Sequence, residues 1–578
     1  MRWVGSRLRG NDERRFLRRP AESVLRSLFD VFPMSRVSPH LPKFLLIAFA
    51  TILVLPVLAI AASWLQFNAQ SAQVLKDLAS TVLPAYAWTS LRLCLMVGAG
   101  VAVVGVSCAL AVTVFDFPGR RIFEWALLLP LAMPAYVVAY AYTDYLQYSG
   151  PLQTQLRALL GLQGRMLPEV RSLGGAALVL IFSLYPYVYL LARAALAERA
   201  THLMEAARLL GAPLRRRITK VALPLARPAV AAGVALACME TLADYGVSSY
   251  FGIQTFTTGI YKAWLAMDNP TAAAMLATCL LLVVGLLLKL EHKAQKRMRF
   301  ASARSLRGGA SAQPIRLHGR KAAWAWGLCA APVLLGFVLP VLFMLRPLVA
   351  DWSVLPWDKF LGWAWNSLYL GALTATLALG VALALAYSLR RAPDALTRGV
   401  VQLAGLGYAV PGAVVVVGLL LPVGWLQAQA PGTAIGGLVT ATVLGLLWAY
   451  LVRFCAVALQ SVQSGYARIP TSLDDTARTL GVSGLAMLTQ VHAPLLKRSA
   501  IAAALLVFVD VMKELPATLV LRPFNTDTLA VVAYQLARDE RLGEAALPSL
   551  ALVLVGLVPV VLLSATLRGE KRETLFKT

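Results

Sequence analysis

FLLIAFATILVLPVLAIAASWL, residues 44–65, contains no charged side chain. As a helix rising about 1.5 Å per residue, a run of this length crosses the roughly 30 Å hydrocarbon layer of a bilayer. Similar runs recur to the end of the chain, at 89–115, 123–146, 174–196, 227–249, 271–290, 323–345, 366–388, 399–421, 435–459, 499–516 and 547–567. Of the 578 residues, 59% are hydrophobic and 14% charged, whereas soluble domains carry roughly 25% charge. The expectation is an all-α, polytopic membrane protein of about twelve transmembrane helices.

The formal net charge is +26, which in a soluble chain would point to nucleic acid. Here the basic residues gather on alternate inter-helix segments, the positive-inside pattern. Residues 289–321 alone hold Lys289, Lys293, Lys296, Arg297, Arg299, Arg304, Arg307, Arg316, Arg320 and Lys321 against Glu291. The charge is therefore read as topology plus attraction to anionic lipid, and no nucleic-acid partner is expected. Both termini, Arg120–Arg121, the 197–227 loop, Arg390–Arg391 and the 460–498 loop share one side, taken as cytoplasmic. Arg157, Arg165 and Arg171 in the 147–173 loop run against the pattern. Residues 1–43 are basic, show no clean signal-peptide cleavage site and read as disordered, with Met34 an alternative start. Six cysteines lie inside apolar blocks without a CxxC pair and read as small buried hydrophobes.

An internal repeat organises the chain. Thr89-Ser90-Leu91 matches Asn366-Ser367-Leu368 and Pro134 matches Pro411, both at an offset of 277. Gly211 matches Gly481, Pro224 matches Pro494, and Glu240 matches Asp510, all at 270. The chain thus divides into 44–290 and 322–578, joined by a basic linker at 291–321. Six spans per copy is an even number, so both copies enter the membrane the same way, as parallel repeats.

Two basic loops share one pattern. The first reads Glu205-Ala206-Ala207, Gly211 and Val221-Ala222-Leu223-Pro224; the second reads Asp475-Thr476-Ala477, Gly481 and Val491-His492-Ala493-Pro494. Each predicts a short helix, a break, and a new membrane helix. Ser472 and Asp475 have capping-box spacing, Gly211 and Gly481 suit a left-handed C-terminal cap, and Pro224 and Pro494 suit a first helical turn. The alternative is an amphipathic loop lying on lipid, which recurrence at a fixed offset argues against. No GxxxxGK[ST] phosphate cradle occurs, so no ATP site and no catalytic residue are expected on this chain.

These loops resemble the EAA loop of ABC-importer permeases. The resemblance implies the type I ABC-importer permease fold in the bacterial inner membrane. It also implies two separate ATPase subunits that bind ATP and magnesium, and a periplasmic binding protein that delivers cargo. It assigns ATPase coupling to Glu205, Ala206, Ala207, Gly211 and Pro224, and to Asp475, Ala477, Gly481 and Pro494. The second copy departs from the pattern at Asp475, Thr476 and Ala493. MPAYVVAYAYTDYLQYSGPLQTQLR (133–157), METLADYGVSSYFGIQTFTTGIYKAW (239–264) and MKELPATLVLRPFNTDTLAVVAYQLA (512–537) resemble the fused permease of bacterial iron(III) importers. Fused permeases for thiamine and phosphonates share the architecture. A proton-coupled secondary transporter, the rival class, needs charged relays within its helices but no paired loops.

Ionisable residues inside apolar blocks are costly and default to function. Glu240 with Asp244, Asp510 with Glu514, and the stripe Tyr136, Tyr140 and Asp144 repeat at helical i,i+4 spacing. Their hard oxygen atoms suit a hard cation. Either they line a translocation pathway or they hold helices together. A stable metal site is not expected: His40, His202, His292, His318 and His492 lie in loops and do not cluster.

Overall fold

Backbone immersed in lipid must satisfy its own N–H and C=O groups, and the apolar blocks do so as α-helices. The computed structural model describes residues 41–575 except 67, 162, 198–200, 303–313, 351, 354 and 432–433. The basic segment before residue 41, which includes Met34, lies outside this range. The chain divides into two units, residues 1–51 and 52–578. The described part of the first is the start of helix Leu41–Ser63.

Among the described residues nine helices are long and apolar enough to cross a membrane, and the pair Arg120–Ala132 and Ala135–Leu160, bent by 88°, adds a tenth. The departures from the sequence-based spans have physical causes. The run at 44–65 is not among the nine and lies in the 23-residue helix Leu41–Ser63. The run at 499–516 falls in Ala493–Met512, whose apolar character Lys497, Arg498 and Asp510 interrupt. The runs at 123–146 and 399–421 are broken, at Pro134 and Pro411. Each proline has nearly the same backbone (φ −59° and ψ 140°, φ −58° and ψ 143°) and opens a helix, Ala135–Leu146 or Gly412–Gln429. Proline donates no N–H and pushes the residue before it out of helical geometry, so a span cannot run through it unbroken at these points. Met133 and Val410 are accordingly extended.

Four long helices in each half carry the architecture. In the first half they are α1 (Leu83–Val114), α2 (Leu173–Ala195), α3 (Leu223–Ala243) and α4 (Pro270–Ser302). In the second they are α5 (Trp357–Arg391), α6 (Val443–Tyr466), α7 (Ala493–Met512) and α8 (Leu542–Leu575). Helices α1, α2 and α3 pack mutually, as do α5, α6 and α7, with α4 on α3 and α8 on α7. The halves also interlock reciprocally: α4 packs on Gly412–Gln429, and α8 on the turn Leu129–Ala132. Leu339–Ala350, the later part of the first span of the second half, packs on Ala135–Leu146 of the first half. In return the Pro56 backbone lies so close to Gly418 that a Cβ there would sit 2.1 Å from its carbonyl oxygen. Only glycine permits that crossing.

The repeat extends to single hydrogen bonds. Ser90 Oγ accepts the Phe256 N–H at 3.2 Å, and Ser367 Oγ accepts the Leu529 N–H at 2.8 Å. A widened π-turn precedes the matched prolines, at Ile218–Ala222 and Met487–His492. There the Leu223 N–H reaches Ile218 and the Ala493 N–H reaches Leu488, five residues back. The extra residue makes room for a ring that would otherwise meet a carbonyl of the preceding turn. Pro224 and Pro494 thus lie in the first turn of α3 and α7, as the sequence reading expects, and the π-turn joins each to the helical segment before it.

Helix α4 continues to Ser302, and Ile315–Arg316 pairs in parallel with Phe115–Asp116 at the end of α1. The three arginines that break the charge pattern each find a partner. Arg157 lies over the Tyr148 ring at 4.3 Å, Arg165 pairs with Glu169 at 3.2 Å, and Arg171 pairs with Glu540 at 3.2 Å. Cys108, Cys238, Cys329 and Cys455 are buried free thiols, with Cys94 and Cys279 partly buried.

Candidate functional site

The two patterned loops fold alike. Glu205, Ala206 and Ala207 lie on the short helix Thr201–Leu209, and Asp475, Thr476 and Ala477 on Thr471–Thr479. Each helix ends on a glycine with positive φ, +77° at Gly211 and +82° at Gly481. The Gly211 N–H donates to Arg208 O at 2.9 Å and the Ala212 N–H to Ala207 O at 3.0 Å. The Gly481 N–H donates to Arg478 O at 3.0 Å and the Val482 N–H to Ala477 O at 2.9 Å. This is the Schellman closure, twice, at a constant offset. Around it the loops expose apolar side chains: Leu209 is 89% exposed, Leu210 87% and Leu480 78%. Glu205 and Asp475 are exposed as well. Exposed leucines beside basic residues, on a rigidly terminated helix, suit docking to another protein.

One expected feature is absent. The second helix is entered through Pro470, which offers no side-chain cap, so Ser472 is already helical and the Ser472–Asp475 capping box does not form. Asp475 pairs instead with Arg478 at 3.0 Å.

The second loop carries a clamp that the motif reading missed. Arg390, at the end of α5, donates to Asp474 through Nε at 2.8 Å and Nη2 at 3.1 Å, and to the Ile469 and Pro470 carbonyls at 2.9 and 3.0 Å. His492 Nε2 lies 3.1 Å from Asp474 Oδ1, and its Nδ1 lies 3.3 Å from the Tyr466 hydroxyl. At the 270 offset the first half has Met204 and Ala222 in place of Asp474 and His492, both buried. One loop is thus held by a polar network and the other by apolar packing. The Arg390 guanidinium, helped by His492, holds the Asp474 carboxyl below the usual carboxylate range. A depressed folded-state pKa adds stability that is present above the unfolded value, near 3.9, and is lost as pH falls through the folded one. Thermal melts of the purified chain should therefore show an acid-side loss below about pH 4 that Asp474→Asn reduces; identical acid profiles for the two proteins would contradict the clamp.

The intramembrane acids gather around a cavity of about 220 Å³ between the halves. Glu240, Asp244, Tyr136, Tyr187 and Ser183 line it from the first half, and Asp510, Lys513, Glu514, Arg453 and Tyr408 from the second. Their roles divide. Asp244 accepts the Val247 and Ser248 N–H groups at 3.3 and 2.9 Å. Glu514 accepts the Ala517 and Thr518 N–H groups, each at 2.9 Å, and the Arg453 guanidinium at 3.0 Å. Both carboxylates are thus spent capping the short helices Gly246–Tyr250 and Pro516–Leu521. Glu240 and Asp510, equivalent by the repeat, line the cavity with Tyr408 and Tyr187. Of the tyrosine stripe, Tyr136 lines the cavity. Tyr140 instead packs against Tyr136 and Tyr250 at ring distances of 5.6 and 4.7 Å, and Asp144 lies off the lining. Arg453 could have been singled out as a lone charge within an apolar run; Tyr187 and Tyr408 carry no comparable signal.

Residues 101–297 match the family described as binding-protein-dependent transport system inner membrane component. The chain is 24% identical over 486 residues to the Fe(3+)-transport system permease protein FbpB 2 of Haemophilus influenzae, covering 82% of this chain and 88% of that one. It is 25% identical over 496 residues to the probable ABC transporter permease protein y4fN of Sinorhizobium fredii, covering 81% and 84%. A putative 2-aminoethylphosphonate transport system permease protein, PhnU of Salmonella choleraesuis, is 26% identical over 191 residues, 32% of this chain and 67% of that one. With its repeated helical halves and matched loops, and the match of residues 101–297 to that family, the chain is a multi-pass inner-membrane permease, the membrane transport subunit of a binding-protein-dependent system.

Proposed function

We propose that this permease imports iron(III) handed over by a periplasmic binding protein, driven by two ATPase subunits that dock on its two loops. The observation that carries the coupling is the twin Schellman-closed helix with exposed leucines. One docking element per half calls for one ATPase per half, each bringing its own ATP and magnesium. The loops and both termini then face the cytoplasm, in keeping with their excess of Lys and Arg. Coupling contacts come from Glu205, Ala206, Ala207 and Gly211 in one loop and from Asp475, Ala477 and Gly481 in the other. Pro224 and Pro494 set the direction of the helix that follows each loop.

For the cargo, the name of the Haemophilus influenzae relative and the charge of the cavity point the same way. Four carboxylates and two basic side chains line the cavity. That lining favours a cation over a phosphonate or another anion. Glu240 and Asp510 form the pathway, and Asp244 and Glu514 hold its walls. Radioactive iron(III) uptake by a strain lacking this chain tests the reading. Wild-type permease should restore uptake, and Glu240→Gln with Asp510→Asn should slow it about tenfold or more, about 1.4 kcal/mol of barrier. Restoration of phosphonate uptake without iron uptake would refute the cargo.

A further inference from the structure

Two of the four cavity carboxylates are neutralised or capped by their own surroundings, leaving Glu240 and Asp510, one from each half, in the same cavity lining and within electrostatic reach of each other. Of the two basic groups in the lining, Arg453 is bonded to Glu514 and acts on Asp510 as well, and Lys513 acts on Asp510. Lys513 lies one turn beyond Asp510 and within its electrostatic reach, and its Nζ donates to Leu131 O at 2.7 Å. Leu131 belongs to the first half, in the broken turn beside Pro134. The ammonium therefore spans from the second half to the first. Its counterpart by the 270 offset is Ala243, so the repeat supplies no second ammonium. The cavity also holds hydroxyls with nothing to bond. Tyr136 Oη and Ser183 Oγ are buried without a hydrogen-bond partner, on residues 6% and 4% exposed. Buried polar atoms of this kind call for a polar occupant.

We propose that the Lys513 ammonium is a tethered counter-ion that holds the place of cargo between Glu240 and Asp510 and yields only to a multivalent cation. The inference rests on the cation reading of the pathway and adds the means of selection. A monovalent ion competes with an ammonium of equal charge that is covalently held at high effective concentration. A cation of higher charge gains proportionally more from the same two carboxylates and can displace it. The resting pathway is thereby closed to sodium and potassium, and breaking the Lys513–Leu131 bond loosens one tie between the halves.

The test uses the full-length chain in liposomes bearing a potassium gradient, read with a voltage-sensitive dye, with no iron present. Lys513→Met should raise the potassium leak at least about tenfold, because two carboxylates are left without this ammonium. Lys513→Arg should stay tight. Asp510→Asn combined with Lys513→Met should return the leak towards wild type, since it removes the excess negative charge. Lanthanum(III) should block the leak of Lys513→Met by taking the vacated place. A tight Lys513→Met protein overturns the proposal. So does a double variant as leaky as the single one, which would mean damaged packing, or a leak that lanthanum does not touch. Because the leak is measured without iron, its outcome stands apart from whether iron is the cargo.

Discussion

Permease carrying Gly211→Pro and Gly481→Pro should insert in the membrane normally and fail to transport. Both glycines sit at φ near +80° (+77° and +82°), whereas proline is locked near −65°. Each also donates the N–H that closes its helix, to Arg208 and Arg478, and proline has none to give. Nothing lies within 4 Å of a Cβ built at either position, so the damage is conformational and confined to the loop. Alanine at both sites isolates that term, with a penalty of about 1 kcal/mol per site from the left-handed backbone alone. The proline pair should cost about 3 kcal/mol or more at each loop, enough to disorder the docking helix while the membrane helices stand. The checks are cargo uptake, ATPase activity stimulated by the binding protein, and size-exclusion behaviour in detergent. Normal uptake by the double proline variant would remove the coupling role of these loops.

The second large effect concerns Arg453. Its side chain is 11% exposed and bonded at 3.0 Å to Glu514, which is 1% exposed. Removing one member of a buried pair leaves the other charge uncompensated, at about 3–5 kcal/mol. Arg453→Met should therefore lower the thermal midpoint in detergent by several degrees. Glu514→Gln should also destabilise, since it weakens the cap on Pro516–Leu521 and strands the guanidinium. The double variant should be less unstable than the sum of the two singles, because neither charge is then left alone. Strict additivity would show that the pair does not act as a unit. A normal midpoint combined with failed transport in Arg453→Met would place Arg453 on the pathway and not in its wall.

Much of this arrangement was legible before any coordinates. Membrane helices announce themselves because lipid demands long apolar runs, and the repeat because Pro134 with Pro411 and Gly211 with Gly481 recur at fixed spacing. Gly211 and Gly481 were identifiable as left-handed caps because few other residues accept that backbone. The capping box was misread for a local reason: Pro470 starts the helix two residues earlier than the Ser472 motif requires. The kinked runs were misread because hydropathy measures composition and not direction, so a run bent at Pro134 looks like a straight one.

The acids show where sequence stops. Spacing placed Glu240 with Asp244, and Asp510 with Glu514, on shared helix faces, and left open whether they serve cargo or structure. Sequence alone determined a two-fold repeated helical membrane protein with twin patterned loops closed by left-handed glycines, because length, apolarity and backbone conformation are local properties. Only the tertiary structure decided that Asp244 and Glu514 cap helices while Glu240 and Asp510 face one cavity, and that Arg390, Asp474 and His492 meet. Those assignments depend on which groups from distant segments come within about 3 Å of one another, and hydrogen-bond geometry at that range is written by packing and not by spacing.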